Sequence, residues 1–290
     1  MRSFSFVTVD VFTDRRFGGN PLAVFPDAGG LTDGEMQSLA AEFNLSETTF
    51  VLPPADPANT ARVRIFNRRQ EMPFAGHPNV GTGWVLAGMG RARDGALRFE
   101  EIAGLVEVKV EGDLVNIAAP QPLSLGPEMP VDLLASCVGL KTEDIVTTAH
   151  RPVMASVGNP FIIAEVRGDA LSRAAPDIGR FRDVVKVYTA TGPNRLPFYL
   201  YAHAGPRIRS RMFAPLSGTI EDPATGSAAT PLVALLLSLT KDSQQRYEIT
   251  QGVEMGRPSL LLCTAKRGAD GIRATVGGGC VPVLKGEVSL

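Results

Sequence analysis

Residues 71–88 read EMPFAGHPNVGTGWVLAG, and residues 221–238 read EDPATGSAATPLVALLLS. Both stretches start with a glutamate, reach a proline two positions later and a glycine three positions after that, and then become almost continuously apolar. A helix that is apolar on nearly every face is a buried helix. Pro78 suits the first turn of such a helix, because its missing N–H has no helical partner there. The two stretches therefore predict two buried helices that open in the same way.

Two further matches indicate that the whole chain is an internal repeat. GNPLAV at residues 19–24 corresponds to GNPFII at 158–163, and RIF at 64–66 corresponds to RMF at 211–213. The matches keep the same order in both halves, which is typical of two related domains. We place them at residues 1–119 and 120–290, with the boundary in the proline-rich segment PQPLSLGPEMP at 120–130. Whether the last ~10 residues cross back onto the first half is left open.

Short strands surround each predicted helix. SFVTVDVF at 5–12, PLAVFP at 21–26, TTFVLPP at 48–54 and ARVRIF at 61–66 have strand-like apolar patterns. Between them, Thr32 and Glu35 form a capping box that predicts a helix over DGEMQSLAAEF, residues 33–43. The predicted fold class is α+β, with two pseudo-symmetric domains in which short, mostly antiparallel strands surround one central helix.

Composition excludes several classes of protein. The 290 residues include 29 Lys and Arg against 30 Asp and Glu, a balance that argues against a nucleic-acid or membrane-surface partner. The three cysteines are far apart, so neither a disulfide framework nor a zinc ribbon is expected. The N-terminus lacks the apolar core of a signal peptide, and the longest apolar run, PLVALLLSL at 231–239, is too short to span a membrane. We expect a cytoplasmic protein.

The openings of the two buried helices are the best candidates for a site. Unpaired backbone N–H groups and the positive end of the helix dipole gather there and favour anions. Two such ends, related by pseudo-symmetry, are expected to face each other across the domain interface, where a small carboxylate or an enolate-like intermediate would fit. The alternative for each glycine is that it only permits tight helix–sheet packing.

Three polar residues could carry chemistry there. His77 is the one histidine within such a motif, and it could be a hydrogen-bond donor, a general acid or a capping residue. Asp222 directly precedes the second motif. Glu47 lies in FNLSETTFVL, just after the first predicted helix. Burial would raise the pKa of a carboxyl there toward the catalytic range of about 6–7. No dinucleotide-binding, P-loop, zinc-protease or serine-hydrolase motif occurs, so neither a cofactor nor a metal is predicted.

The chain resembles the phenazine-biosynthesis PhzF family. The resemblance rests on DVFT at 10–13, GNPLAV at 19–24, NLSET at 44–48, PFAGHP at 73–78 and EDPATGSA at 221–228, and it covers nearly the whole length. It implies a diaminopimelate epimerase-like fold with two similar domains, each a curled antiparallel sheet around a central helix, a site between them and a homodimeric assembly.

The resemblance also implies an activity: isomerisation of a small cyclic amino acid related to dihydro-hydroxyanthranilate, without a cofactor. It assigns the general acid/base to Glu47, with His77 and Asp222 assisting substrate binding and proton transfer. The substrate-binding group it implies comprises Ser46, Gly76, Pro78, Thr225, Gly226 and Ser227.

One departure bears on the mechanism. Relatives with epimerase activity carry a cysteine in each of the two motifs, where this chain has Ala75 and Thr225, so a two-thiol racemase is excluded. A single carboxylate can instead remove a proton from one carbon and return it to another on the same face. Two alternatives stay open: a non-catalytic protein that binds small anions, and an epimerase in which Glu47 and Asp222 act from opposite faces.

A second departure bears on the substrate. Arg68 and Arg69 stand where the family usually has Thr-Pro, and they could add an anion contact or be solvated loop residues.

Overall fold

The computed structural model describes residues 1–204 and 207–290. The chain divides into two units: Met1–Ala118 together with Gly277–Leu290, and Ala119–Val276.

The first unit contains the strands of the N-terminal part of the chain together with the last strand. Its elements are β1 (Ser3–Val11), β2 (Asn20–Phe25), α1 (Asp33–Phe43), β3 (Glu47–Leu52), β4 (Ala61–Phe66), β5 (Glu71–Met72), α2 (Gly76–Gly88), β6 (Ala96–Glu101), β7 (Gly104–Glu111) and β8 (Leu114–Ala118). β19 (Cys280–Ser289) completes it.

The second unit has more helices. Its elements are β9 (Ser124–Glu128), α3 (Val131–Cys137), β10 (Ile145–Val146), β11 (Val153–Ser156), β12 (Pro160–Val166), α4 (Gly168–Arg173), α5 (Ile178–Val184), β13 (Phe198–Ala204), β14 (Arg207–Ala214), β15 (Thr219–Asp222), α6 (Gly226–Ser238), β16 (Gln244–Gln251), β17 (Ser259–Gly268) and β18 (Gly271–Gly278). Short 3-10 helices occupy Thr142–Asp144 and Pro215–Ser217.

The two units share one strand order. In the first, β1 pairs antiparallel with β19 and β2, β2 runs parallel to β3, β3 antiparallel to β4, and β4 parallel to β6. In the second, β11 pairs antiparallel with β9 and β12, β12 runs parallel to β13, β13 antiparallel to β14, and β14 parallel to β16. The repeated sequence motifs accordingly fall on equivalent elements, and the predicted α+β fold is confirmed.

The central helix of each unit is buried, as the sequence predicts. α2 packs against β1, β2, β3, β7 and β8, while α6 packs against β11, β12, β16 and β17. Glycines make this possible in α2: a Cβ on Gly81 would lie 2.6 Å from Leu22, and one on Gly83 would lie 2.6 Å from Val108. The sheet therefore approaches this helix more closely than any side chain would allow.

The predicted helix at residues 33–43 is also confirmed. Both halves of its capping box form, since Thr32 N–H donates to Glu35 Oε2 at 2.8 Å and Glu35 N–H donates to Thr32 Oγ1 at 3.3 Å. The helix covers the outer face of the sheet through a phenylalanine cluster that includes Phe25, Phe43 and Phe50. In the second unit, α3, α4 and α5 cover the sheet in the same manner.

The glutamates that start the two repeated motifs are structural. Glu71 accepts two hydrogen bonds from Arg64, at 2.7 and 2.6 Å, and the guanidinium lies over Phe66. Glu221 accepts two from Arg211, both at 2.8 Å, and that guanidinium lies over Phe213. The matched arginine–glutamate pairs fix the strand that leads into each buried helix.

Among the described residues, no helix combines the length and apolar character needed to cross a membrane.

Candidate active site

Glu47 is placed by the sharp end of α1. Asn44 adopts a left-handed conformation with φ of 54°, and its N–H bonds Ala40 O, which stops the helix. Ser46, half-buried, then leads directly into β3, whose first residue is Glu47. β3 runs parallel to β2, with Glu47 beside Leu22. The Glu47 side chain retains 19% of its exposure, so its carboxylate is largely shielded but remains reachable.

His77 lies next to this carboxylate. It is the second residue of α2, and its Nδ1 is 3.4 Å from Glu47 Oε2. Burial lowers the pKa of His77 to about 3, and a hydrogen bond to the Pro21 carbonyl offsets this effect only in part. The imidazole is therefore neutral near pH 7, and its contact with Glu47 is not an ion pair.

The second ring nitrogen of His77, Nε2, has different surroundings. Nε2 is buried, and it has no hydrogen-bond partner among the residues that the structure describes. Buried polar atoms in proteins are nearly always paired, and exceptions concentrate where a ligand or water completes the site. Nε2 is thus available to a bound molecule while Nδ1 stays beside Glu47.

The start of α2 adds a third feature. Its N-cap is Ala75, in an extended conformation, and an alanine side chain cannot cap the helix. Gly76 and Pro78 are buried in the first turn. A carboxylate, a neutral imidazole and an uncapped helix N-terminus are thus grouped in the first unit, a combination that suits proton transfer next to a developing negative charge.

The second unit carries a different group at the matching helix start. Asp222 ends β15 and is buried, and its Oδ2 accepts a hydrogen bond from Thr225 Oγ1 at 2.5 Å. Thr225 is the N-cap of α6, but its hydroxyl is directed to Asp222 instead of the helix N–H groups. Gly226 is buried and Ser227 half-buried in the first turn.

A fully buried glutamine supports this turn. Gln251, at the end of β16, accepts from the Thr225 N–H at 3.2 Å and donates from Nε2 to Asp222 O at 2.8 Å. The same Nε2 donates to Thr225 Oγ1 at 3.0 Å. Tyr199 donates to Gln251 Oε1 at 3.1 Å and accepts from Ser210 at 2.9 Å. Asp222 is therefore held through its backbone and through its Thr225 partner by one side chain.

Arg68 and Arg69 lie on the turn between β4 and β5. Asn67 Oδ1 accepts from the N–H groups of Arg69 and Gln70, at 2.7 and 2.9 Å, which shapes the turn. Both arginine side chains are exposed. Both residues therefore lie at the surface of this turn.

Thiol chemistry has no suitable group in this chain. The three cysteines, Cys137, Cys263 and Cys280, are all buried and unpaired. Burial raises the pKa of Cys137 and Cys280 to about 12, and it raises the pKa of Cys263 as well. All three are protonated thiols at neutral pH, so none is available as a base.

Comparison with known proteins identifies the family. The family model for phenazine biosynthesis-like proteins matches residues 9–286. The chain belongs to this family. A trans-2,3-dihydro-3-hydroxyanthranilate isomerase of Pseudomonas chlororaphis is 36% identical over 98% of the chain and 99% of the relative.

Solved structures agree with this assignment. The crystal structure of a PhzF-family phenazine biosynthesis protein of Bacillus anthracis matches with a TM-score of 0.88, at 25% identity, over the full length of both chains. A hydroxyproline epimerase from Agrobacterium vitis shares the fold alone, with a TM-score of 0.62 at 15% identity, over 100% of this chain and 93% of that chain. As a member of this family with isomerase relatives along its whole length, the chain is an isomerase.

Three polar residues near the helix starts of this family member were missed at the level of sequence. Gln251 lies in ordinary strand sequence, and only its depth in the fold reveals its role. Asn79 gave a usable signal, because a polar residue in an otherwise apolar helix must find partners when buried. Its neighbour Glu101 ends a strand of alternating pattern, and nothing in the sequence separates it from Glu100, whose carboxylate accepts hydrogen bonds from backbone N–H groups.

Proposed function

We propose that this isomerase moves a proton between two carbons of a small cyclic amino acid of the dihydro-hydroxyanthranilate type, with Glu47 as the single acid/base. The observation that carries the proposal is the Glu47 carboxylate, largely shielded and 3.4 Å from the neutral imidazole of His77 at the start of α2. Full-length similarity to a named trans-2,3-dihydro-3-hydroxyanthranilate isomerase supports this substrate class.

A single carboxylate is sufficient to carry the proton in this reaction. Ionised Glu47 removes a proton from one ring carbon, which leaves a delocalised anion on the substrate and a neutral Glu47. The same carboxyl then returns the proton to another carbon on the same face, so the reaction consumes and releases nothing. A well-placed base of this kind contributes on the order of 10²–10⁴-fold to the rate.

His77 and the start of α2 would stabilise the anionic intermediate. A neutral imidazole can donate or accept a hydrogen bond without adding a charge that would hold the Glu47 carboxylate in an ion pair. The unpartnered Nε2 of His77 supports a contact to the substrate. The N–H groups of the first turn, at Gly76 and His77, favour negative charge through the helix dipole.

For the second unit we propose substrate contacts from Asp222, Gly226 and Ser227. The support is the matched helix start, in which Asp222 is fixed by Thr225 and Gln251. Ser46 and Pro78 complete the proposed substrate-binding set in the first unit. We further propose that the substrate is an unactivated small carboxylic acid, and that the enzyme works in the cytoplasm as a homodimer.

The test is isomerisation of trans-2,3-dihydro-3-hydroxyanthranilate in deuterated water. Wild type should convert the substrate with a hydrogen shifted between two carbons, and Glu47→Gln should lose on the order of 10²–10⁴-fold in kcat while still binding. The control is Glu42→Gln, a change of the same type at an exposed position of α1, which should leave kcat unaltered.

Other results of this experiment would contradict particular parts of the proposal. Equal turnover by wild type and Glu47→Gln would remove Glu47 from the mechanism. Binding without turnover by wild type would favour the anion-binding alternative or a different substrate. Deuterium incorporation with inversion at one carbon would assign a two-base epimerase.

A further inference from the structure

Glu101 is the last residue of β6, and its side chain belongs to the buried face of the sheet. Alternation along the strand places Leu97 and Phe99, both fully buried, on that same face. Arg98 and Glu100 belong to the opposite face, where Glu100 accepts hydrogen bonds from backbone N–H groups of residues 55 and 56. Both glutamates are half-buried as residues, but the two carboxyl oxygens of Glu101 are fully buried, whereas the Glu100 carboxylate has backbone partners.

The Glu101 carboxyl faces Asn79 without a well-formed hydrogen bond. Among the described residues, both carboxyl oxygens of Glu101 and the Oδ1 of Asn79 are buried and unpartnered. The Nδ2 of Asn79 donates to Ala75 O at 3.0 Å, across the first turn of α2. Burial raises the pKa of Glu101 to about 8, and the Asn79 amide offsets this only in part.

Among the residues that the structure describes, no charged neighbour contributes to the raised pKa of Glu101. The one titratable side chain of α2 is His77, which is neutral. The neighbouring strands β4 and β7 turn apolar residues to the buried face, and their charged side chains lie on the other face: Arg62, Arg64, Glu107, Lys109 and Glu111. A proton would therefore pair two of these three acceptors, because it converts one Glu101 oxygen into a donor for Asn79 Oδ1.

We propose that Glu101 is a positioning residue for the Glu47–His77 site. As the protonated acid, it donates to Asn79 Oδ1 and holds the Asn79 amide against the Ala75 carbonyl, which fixes the first turn of α2 and with it His77. Release of the proton to solvent places a negative charge beside that turn. The charge draws the Asn79 N–H groups toward the carboxylate and opposes binding of an anionic substrate at the helix start.

The inference rests on the proposed function for its kinetic test. In wild type, kcat/KM for trans-2,3-dihydro-3-hydroxyanthranilate should fall with rising pH, by about tenfold per pH unit once Glu101 is ionised. Glu101→Gln keeps a donor for Asn79 Oδ1 but has no proton to lose, so its profile should stay level through pH 8 and 9. Glu107→Gln, an exposed change on the neighbouring strand, should keep the wild-type fall. Glu101→Leu lacks the donor and should lose activity at every pH.

A second readout does not need turnover. In protein labelled at histidine, the ring resonances of His77 can be assigned by comparison with His77→Asn, since the chain has three histidines. Because His77 itself is neutral throughout this range, its resonances should shift once, near pH 8, in wild type and not in Glu101→Gln. If this shift occurs in a protein without isomerase activity, the proposed function is wrong, but the coupling between Glu101 and His77 stands. A wild-type His77 resonance that is constant from pH 6 to pH 10, or a Glu101→Gln protein that keeps the shift, would overturn the inference.

Discussion

Replacement of Gln251 by leucine should strongly destabilise the protein and disable its activity. The substitution keeps the volume of the side chain close to that of glutamine, so its effect comes from lost hydrogen bonds and not from a cavity. It leaves two buried donors without an acceptor, the Thr225 N–H and the Tyr199 hydroxyl, and it removes the hydrogen bond that Gln251 Nε2 donates to the Asp222 carbonyl.

The magnitude follows from the number of orphaned groups. A buried donor or acceptor left without a partner costs about 1–3 kcal/mol. Two orphaned donors and one under-satisfied carbonyl therefore predict a loss of about 3–5 kcal/mol in the free energy of unfolding, a large part of the ~5–15 kcal/mol typical of a folded domain. The loss of the Gln251 contacts with Asp222 O and Thr225 Oγ1 should also lower kcat/KM, since both contacts help to hold the Asp222 side chain in place.

Urea unfolding followed by circular dichroism measures the first effect. Gln244→Leu is the matched control, because it makes the same chemical change at the exposed start of the same strand and should alter stability by less than about 0.5 kcal/mol. If Gln251→Leu does not fold, Tyr199→Phe removes one of the Gln251 contacts together with the acceptor of the Ser210 hydroxyl, and it should cost about 1–3 kcal/mol. The reasoning fails if Gln251→Leu unfolds at the same urea concentration as its control.

Three further substitutions test other parts of the structure. Arg211→Met should cost about 3–5 kcal/mol in a urea titration, since it leaves a shielded carboxylate unpaired, whereas Lys186→Met at an exposed ion pair should cost less than about 1 kcal/mol. Gly81→Ala should lower stability by about 1–3 kcal/mol through overpacking, whereas Gly88→Ala in the same helix meets no neighbour and should be neutral or stabilising. Glu101→Gln should gain stability over wild type by about 1.4 kcal/mol per pH unit between pH 5 and 8. The reason is that the pKa of Glu101 in the folded protein, about 8, lies above its ordinary value of 4.5, so that the stability of the wild type falls as the pH rises through this range. A stability difference that is constant with pH would contradict this last expectation.

The internal repeat could be recognised from the sequence because each matched residue has a local structural role. The glycine at the start of each buried helix, the arginine of R-x-F and the glutamate before the proline recur since each unit closes its strands around a helix in the same way. The capping box of α1 is equally local, because both of its hydrogen bonds join residues three positions apart. Such features need no knowledge of the rest of the chain.

The supporting polar groups could not be predicted for the opposite reason. Gln251 is 26 residues from Thr225 along the chain, and Tyr199 is 52 residues from Gln251, so their contacts exist only after the sheet has formed. The position of β19 is a further case, because its pairing with β1 joins the two ends of the chain. Sequence periodicity shows which face of a strand is buried, but it does not show which polar side chains meet there.

The difference between the two helix starts favours a reaction with one base. The units share their strand order and the arginine–glutamate pair that leads into the central helix, so the scaffold offers the same position twice. At that position the first unit has His77 beside Glu47, whereas the second has Thr225 bonded to Asp222. Abstraction of a proton on one face and delivery on the other requires two groups with matched proton affinities, and a shielded carboxylate beside an imidazole is unlike an aspartate bonded to a threonine hydroxyl. Unlike side chains on a repeated scaffold agree with a same-face proton shift, because that reaction needs one group to carry the proton in both directions.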